Sequence, residues 1–395
     1  MALAEKVTQF MERSSWIRKM FEEGAALKAQ YGADQVCDFT LGNPDVAAPD
    51  AVEEELVKIV REPAFLKYGY MPNAGYPETR AAIADFLGGE QQVRVNSQGI
   101  IMTCGAGGAL NVIFKAILNP GDQVITPSPF FVEYNFYVDN HGGVLRSIAP
   151  GDNFALDLEG IATAINEKTA AVIINSPNNP SGVIFSAEQI TALGGLLAEK
   201  SSELGRVIYL ISDEPYRKLV YDGLTVPPIF PAYRNSIIAN SYSKELSLAG
   251  ERIGFLALHP EADDFEQLVN GFIFANRVLG FVNAPGIMQR LVARLQGITV
   301  DVSIYQRKRD LLYQGLVDVG FEVAKPQGAF YLFPRSPLDD DVEFVRELQQ
   351  YRILAVPGSG FSGPGFFRLA YCVDDATIER SLPIFKEVGK KFCNR

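Results

Sequence analysis

Between Gly99 and Asn240 the chain alternates short apolar runs with helical patterns: "GIIMTC" then "GALNVIFKAIL", "DQVIT" then "VEYNFYVDNHG", "AAVIINS" then "SAEQITALGGLLAEK", "RVIYLIS" then "DEPYRKLV", and finally "SIIAN". Runs this short and this apolar are buried on both faces as strands, and a helix between consecutive strands forces a mostly parallel sheet with helices on both sides. Ligands of such sheets sit in the crevice outside the carboxyl ends of the strands. The residues that directly follow each apolar run are therefore the ones to read for chemistry. At 395 residues the chain also exceeds what one core of about 250–300 residues holds, so two domains are expected.

Composition narrows the partners. The chain is 47% hydrophobic and 21% charged, as expected of a soluble globular protein. Its formal net charge of −11 argues against non-specific binding to nucleic acid or to an anionic membrane. An anionic ligand must then be held by a local cluster. The N-terminus "MALAEKVTQFMERSSW" has no apolar signal core, and the uncharged run Gly99 to Phe114 is interrupted by glycines and too short for a membrane span. The four cysteines are far apart, without a CxxC, and there are two histidines; no metal site and no disulfide framework are expected, and a cytoplasmic location follows.

The strand ends are modest signals one by one. Gly105-Ala106-Gly107 opens a helix with small residues, which lets an anion approach the backbone N–H groups, though a ligand-free turn looks the same. Phe131 follows the next strand and alone reads as core. Asn179 lies in "NNPSG", an ordinary turn sequence. Asp213 ends an apolar run and is either a helix cap or a buried carboxylate in need of a cation. After "SIIAN" come Ser241, Ser243, Lys244 and Arg252, in "SYSKELSLAGER". Converging on one crevice, these groups suit a phosphate, a protonated heteroaromatic nitrogen and a carbonyl that a buried lysine can condense with. Pyridoxal 5′-phosphate carries all three.

At this point the sequence resembles the class I/II aminotransferases, fold type I pyridoxal-phosphate-dependent enzymes. The resemblance runs from "DFTLGNPD" to "FFRLAY" and rests on "SYSKELSLAGERIGF", "SPNNPSG", "SDEPY" and "YGYMPNAGYPETRAAIADFL". It implies an α/β fold: a large domain, residues 50–285, with a mostly parallel seven-stranded sheet flanked by helices, and a smaller α+β domain from residues 1–49 and 286–395. It implies Lys244 as the lysine that binds the cofactor covalently and then carries the proton, and Asp213 as partner of the pyridine nitrogen. Tyr216 and Asn179 are implied on the phenolic oxygen, and Phe131 on the ring face. Gly105, Ala106, Gly107, Ser241, Ser243 and Arg252 are implied around the phosphate. Arg368 and Gly42 are implied on the substrate α-carboxylate, beside Asn179. Tyr70 is implied to reach the neighbouring subunit's phosphate, hence a homodimer with shared active sites.

Transamination between an amino acid and a 2-oxo acid is the expected reaction, with lyase or decarboxylase chemistry on the same fold as the alternative. A DNA-binding regulator is disfavoured by the acidic charge and by the lack of room before "DFTLGNPD". The loop position that carries a basic residue in aspartate-type relatives looks like Gly107, so neutral or apolar substrates are expected. Arg277 is the conditional contact for an acidic one. "GSGFSG" matches a dinucleotide fingerprint formally, but the strand-like "FFRLAY" follows where a helix is required; its glycines are expected to let a loop move near Arg368. "SSWIRKMFEEGAALKAQYG" reads as a helix with Ser14 or Ser15 as cap and Trp16, Met20, Leu27 and Tyr31 as contacts, docked on the body in preference to serving as a lid.

Overall fold

The computed structural model describes residues 3–13, 15–63 and 67–393, with the backbone alone for residues 12–13 and 15–21. Its central element is a seven-stranded sheet built from β1 (Ile100–Thr103), β2 (Gln123–Pro127), β3 (Val144–Ile148), β4 (Thr169–Asn175), β5 (Tyr209–Asp213), β6 (Ser236–Ser241) and β7 (Gly254–Leu258). Their spatial order is β1-β7-β6-β5-β4-β2-β3. β2 through β6 pair in parallel, and β7 runs antiparallel to both its neighbours. Every residue of β4 is buried, which is why its sequence is an unbroken apolar run and not an alternation. Each fully buried Val, Leu or Ile contributes about 1.5–3 kcal/mol, so the strand ends are carried by a rigid platform.

Two strands escape the apolar-run reading for identifiable reasons. β3 is the exposed edge, with polar and apolar residues mixed in "VLRSI". β7 is antiparallel, so no crossover helix separates it from β6. The segment "DEPYRKLV", whose pattern predicts a helix, forms successive turns instead. Arg217 N donates to Glu214 O and Leu219 N to Tyr216 O, and the chain then straightens to pair Val220 with Gly328. That long-range pairing outweighs the local helical pattern. Asp213 is thus the last residue of a strand, and capping does not explain it.

Two apolar cores cover the two faces of this sheet. A third joins Cys37 and Phe39 to residues beyond Val300, with Tyr216, Leu219 and Tyr221 from the middle of the chain. There Cys37–Asp38 pairs in parallel with Ile353–Leu354, and Phe367–Ala370 lies antiparallel to Val356–Pro357 and Tyr331–Leu332. The N-terminal segment is so laid beside the C-terminal strands, and the stretch around Gly42 ends up next to Arg368. The helix Ser15–Tyr31 does dock on this body: Gly24 is buried where a Cβ would stand 2.7 Å from Leu354 Cδ1, and Lys28 pairs with Asp38 at 2.6 Å. Leu27 is half-buried and Tyr31 exposed; Ser14 and the side chains of Ser15, Trp16 and Met20 lie outside the described residues. In "GSGFSG" a strand does follow, and Gly358 is required because a Cβ there would overlap the carbonyl oxygens of Gly363 and Phe366.

Candidate active site

The ends of β4, β5 and β6, the start of the helix Gly105–Ile117, and two segments of the third core enclose a cavity of about 320 Å³. Gly42, Ala106, Gly107, Phe131, Asn179, Asp213, Tyr216, Ser241, Ser243, Lys244, Arg252 and Arg368 all line it. They come from both ends and the middle of the chain, so their meeting is a product of the fold.

Asp213 closes the floor. Its side chain is 4% exposed. Oδ2 accepts a 2.6 Å hydrogen bond from the Tyr134 hydroxyl, whereas Oδ1 is buried with no hydrogen-bond partner. Desolvation pushes its pKa up to about 7, opposed by the Tyr134 hydrogen bond and reinforced by neighbouring Glu214. A buried carboxylate oxygen left bare is costly unless a cationic donor arrives. The Asn175 side chain braces this corner, donating to Asp213 O at 2.8 Å and accepting from Asn179 N at 2.7 Å.

Lys244 enters from the loop after β6. Its Nζ donates to Gly42 O at 2.8 Å and lies 5.3 Å from the Phe330 ring centroid. Burial brings its pKa down to about 8. At Gly42 a Cβ would overlap the Tyr331 hydroxyl, so glycine is what allows this segment to approach. Tyr331 in turn shares a 2.9 Å hydrogen bond with the Tyr216 hydroxyl, and burial holds the Tyr216 phenol well above its ordinary pKa.

At the glycine end, Arg252 packs its guanidinium against Gly105, whose φ is +73° and where a Cβ would stand 2.9 Å from Nη2. Its hydrogen bonds go to the carbonyls of Ala249 (2.9 Å) and Cys104 (3.5 Å). The neighbouring helix start adds unpaired backbone N–H groups and the positive end of a dipole. On the opposite wall Arg368 is 8% exposed. It donates to Asn179 Oδ1 at 3.1 Å and Thr40 O at 2.6 Å, lies between the rings of Tyr331 and Phe361 at 4.6 and 4.5 Å, and leaves Nε buried without an acceptor. Among the described residues no carboxylate pairs with either arginine within 4.0 Å.

Tyr70 and Arg277 lie elsewhere. Tyr70 is 95% exposed and does not line this cavity; Arg277 is exposed on the helix Phe265–Val278, stacked on Phe274. Tyr134, Tyr331 and Thr40 are site residues that strand-end reading does not find, and Asn175, the last residue of β4, stands at a strand end without having been singled out. Tyr134 and Tyr137 do leave a faint trace, two tyrosines three apart on the helix that begins at Tyr134, with Tyr137 also lining the cavity. Among the described residues there is no cluster of His, Cys, Asp and Glu fit for a metal, and no helix long and apolar enough to cross a membrane.

Known proteins resemble this chain over most of its length. A protein of Methanocaldococcus jannaschii described as a probable aspartate aminotransferase is 34% identical over 356 residues, 88% of this chain and 92% of its own length. The aspartate/prephenate aminotransferase of Thermus thermophilus is 32% identical over 363 residues, 90% and 91% of the two chains. Among solved structures, an amino transferase from Eubacterium rectale superposes with a TM-score of 0.96 at 40% identity, covering 100% of both chains. The Thermus thermophilus aspartate aminotransferase with maleate does so with a TM-score of 0.86 at 28% identity, over 98% and 100%. The family model for aminotransferase class I and II matches residues 34–383: the chain belongs to that family and is an aminotransferase.

Proposed function

We propose that the protein is a pyridoxal 5′-phosphate-dependent aminotransferase moving an amino group between an L-amino acid with a neutral or apolar side chain and a 2-oxo acid. The observation that carries the cofactor reading is Asp213: a buried carboxylate with one oxygen bare toward a cavity fits a protonated ring nitrogen. Arg252, at a glycine-lined helix start and without a carboxylate partner among the described residues, fits the phosphate, with Ser241 and Ser243 lining the same cavity. Phe131, Asn179 and Tyr216 line the same cavity; Phe131 would stack on the ring, and Asn179 and Tyr216 would hydrogen-bond its phenolic oxygen.

When bound, the cofactor supplies an aldehyde that takes up amino groups and a ring that accepts the electrons released at the α-carbon. Lys244 would hold it covalently. Its lowered pKa leaves part of the amine as free base near neutral pH, able to take up and give back the substrate's α-proton. Gly42 O orients that amine. The Arg368 fork binds the substrate α-carboxylate, aimed by Asn179 and Thr40 O and shielded from water by two rings. The exposed Tyr70 fits a homodimer in which it serves the other subunit's site, and the cores on either side of the cavity fit a large domain of residues 50–285 with a small one from 1–49 and 286–395.

The cations lining this cavity, Lys244, Arg252 and Arg368, are all occupied by these roles, and none remains for a side-chain carboxylate. The second reading, an aspartate transaminase, is favoured by the names of the relatives and would draw on Arg277 across a dimer. Measuring kcat/KM for aspartate, alanine and phenylalanine with 2-oxoglutarate, in wild type and Arg277→Ala, separates them. Neutral donors should lead and be unchanged in the variant; an aspartate preference lost on substitution establishes the second reading.

A further inference from the structure

The partner of Asp213 is a tyrosine with no other visible task. Tyr134 opens the helix Tyr134–Asn140 and is fully buried. Its ring stacks on Phe130 at 6.2 Å and meets Phe131 edge-on at 5.7 Å, so the hydroxyl is held in place from two sides. That hydroxyl donates to Asp213 Oδ2 at 2.6 Å. Oδ2 is thereby engaged, Asn175 holds the Asp213 main-chain carbonyl, and Asp213 lines the cavity with Oδ1 left without a partner among the described residues.

We propose that Tyr134 is a positioning residue of the cofactor site: its phenol turns the bare oxygen of Asp213 toward the ring nitrogen and keeps that carboxylate charged when the ring arrives. This rests on the reading of Asp213 as the partner of that nitrogen. A donor hydrogen-bonded to a buried carboxylate favours its ionised form, in opposition to desolvation, which favours the neutral one. The groups facing Asp213 are few. The phenols of Tyr134, Tyr137 and Tyr216 are all raised by burial and stay neutral near pH 7. Glu214 is tied to Arg217 at 3.2 Å and to the Ser212 hydroxyl at 2.8 Å. Across the cavity stand Lys244 and Arg252, whose contributions cancel when variants are compared with wild type at one pH. Without the phenol, Asp213 ionises only at higher pH, and a protonated ring meets a neutral acid over part of the working range.

The test titrates apoprotein with pyridoxamine 5′-phosphate, which has no aldehyde to react with Lys244, from about pH 6 to about pH 9, across the range where a raised carboxyl titrates. Tyr134→Phe keeps the ring and its packing and removes only the hydroxyl. Since a hydrogen bond to a charged group shifts an equilibrium by about tenfold or more, this variant should bind about tenfold more weakly near pH 7, with the gap closing toward pH 9. In an Asp213→Asn background the same substitution should change nothing. Equal weakening at every pH, no weakening, or a loss that persists in the Asp213→Asn background would overturn the role of Tyr134. If Asp213→Asn alone binds like wild type, the reading of Asp213 falls as well, which a failure confined to Tyr134→Phe would not imply.

Discussion

Two sets of buried charge in this molecule are treated oppositely. In the helix Val302–Val317, Arg309 is 0% exposed yet answered on every side. Its two terminal nitrogens grip both oxygens of Asp222 at 3.0 and 2.9 Å, and one also donates to Pro326 O at 2.6 Å. Its Nε stands 2.7 Å from Asp310 Oδ1, an ion pair without hydrogen-bond alignment. Its neighbour Lys308 is paired with Asp45 and donates to Val373 O at 2.6 Å. In the cavity, among the described residues, Asp213 keeps an oxygen bare, Arg368 keeps Nε bare, and Lys244 donates to a carbonyl and has no carboxylate partner. A buried ion whose counter-charges are all in the protein is part of the scaffold, whereas one left half-paired waits for a ligand. Charge and burial alone do not separate the two sets; completeness of pairing does.

Breaking the second set should be catastrophic for chemistry and mild for the fold. If Lys244 is the covalent anchor and proton carrier proposed above, Lys244→Ala should lower turnover by on the order of 10⁴ or more, measured against an unchanged melting curve and the loss of borohydride-fixed cofactor. A folded variant that keeps turnover would end the assignment. The two arginines give the sharpest contrast. Arg368→Gln should lower kcat/KM by about 10²–10³ for any amino acid, since hydrogen bonds to a charged group are worth about 1.5–3 kcal/mol each, with little change in unfolding midpoint. Arg309→Gln should instead cost about 2–4 kcal/mol of stability, the scale of a broken buried ion pair, with kcat/KM retained in the folded fraction. Exchange of these two outcomes would mean that completeness of pairing is no guide.

The smallest effect concerns Asp213 without ligand. Its folded pKa, about 7 against an ordinary 3.8, is raised, so its contribution to stability is fully present below the unfolded value and is lost as pH rises through about 7. Asp213→Asn, which removes the charge, should therefore stabilise the ligand-free protein above that pH by about 1–3 kcal/mol and have little effect near pH 4, while impairing turnover. Denaturant midpoints of the apoprotein at the two pH values decide it; an equal effect at both would show that the bare oxygen costs nothing.

Much of this site was legible because its parts sit at strand ends, and strand ends are marked locally. An apolar run followed by Gly105, Asn179, Asp213 or Lys244 announces itself, and the alternation of runs and helices implies the crevice that gathers them. Less legible were parts whose role depends on register. Tyr331 reads as one more aromatic in "GAFYLF" until Phe367–Ala370 pairs beside it. Thr40 matters only because its carbonyl lies under an arginine 328 positions away. The "DEPYRKLV" segment carried a local signal that was wrong, because the bridge from Val220 to Gly328 was invisible to it.

The sequence by itself determined the parallel sheet, the placing of a lysine, an aspartate and small residues at its carboxyl edge, and through them the kind of ligand that edge can take. These follow from side-chain period and composition over windows of a few residues, where local sterics and solvation act. Only the tertiary structure decided which charges would be left half-paired: that Tyr134 takes one oxygen of Asp213 from 79 positions away, that Gly42 lets Tyr331 and Lys244 close in, and that Asp222 answers Arg309 while, among the described residues, no carboxylate answers Arg368. Pairing is a property of where atoms sit once the cores have closed, and hydrogen-bond and Coulomb energies fall too steeply with distance and angle for a linear pattern to encode them.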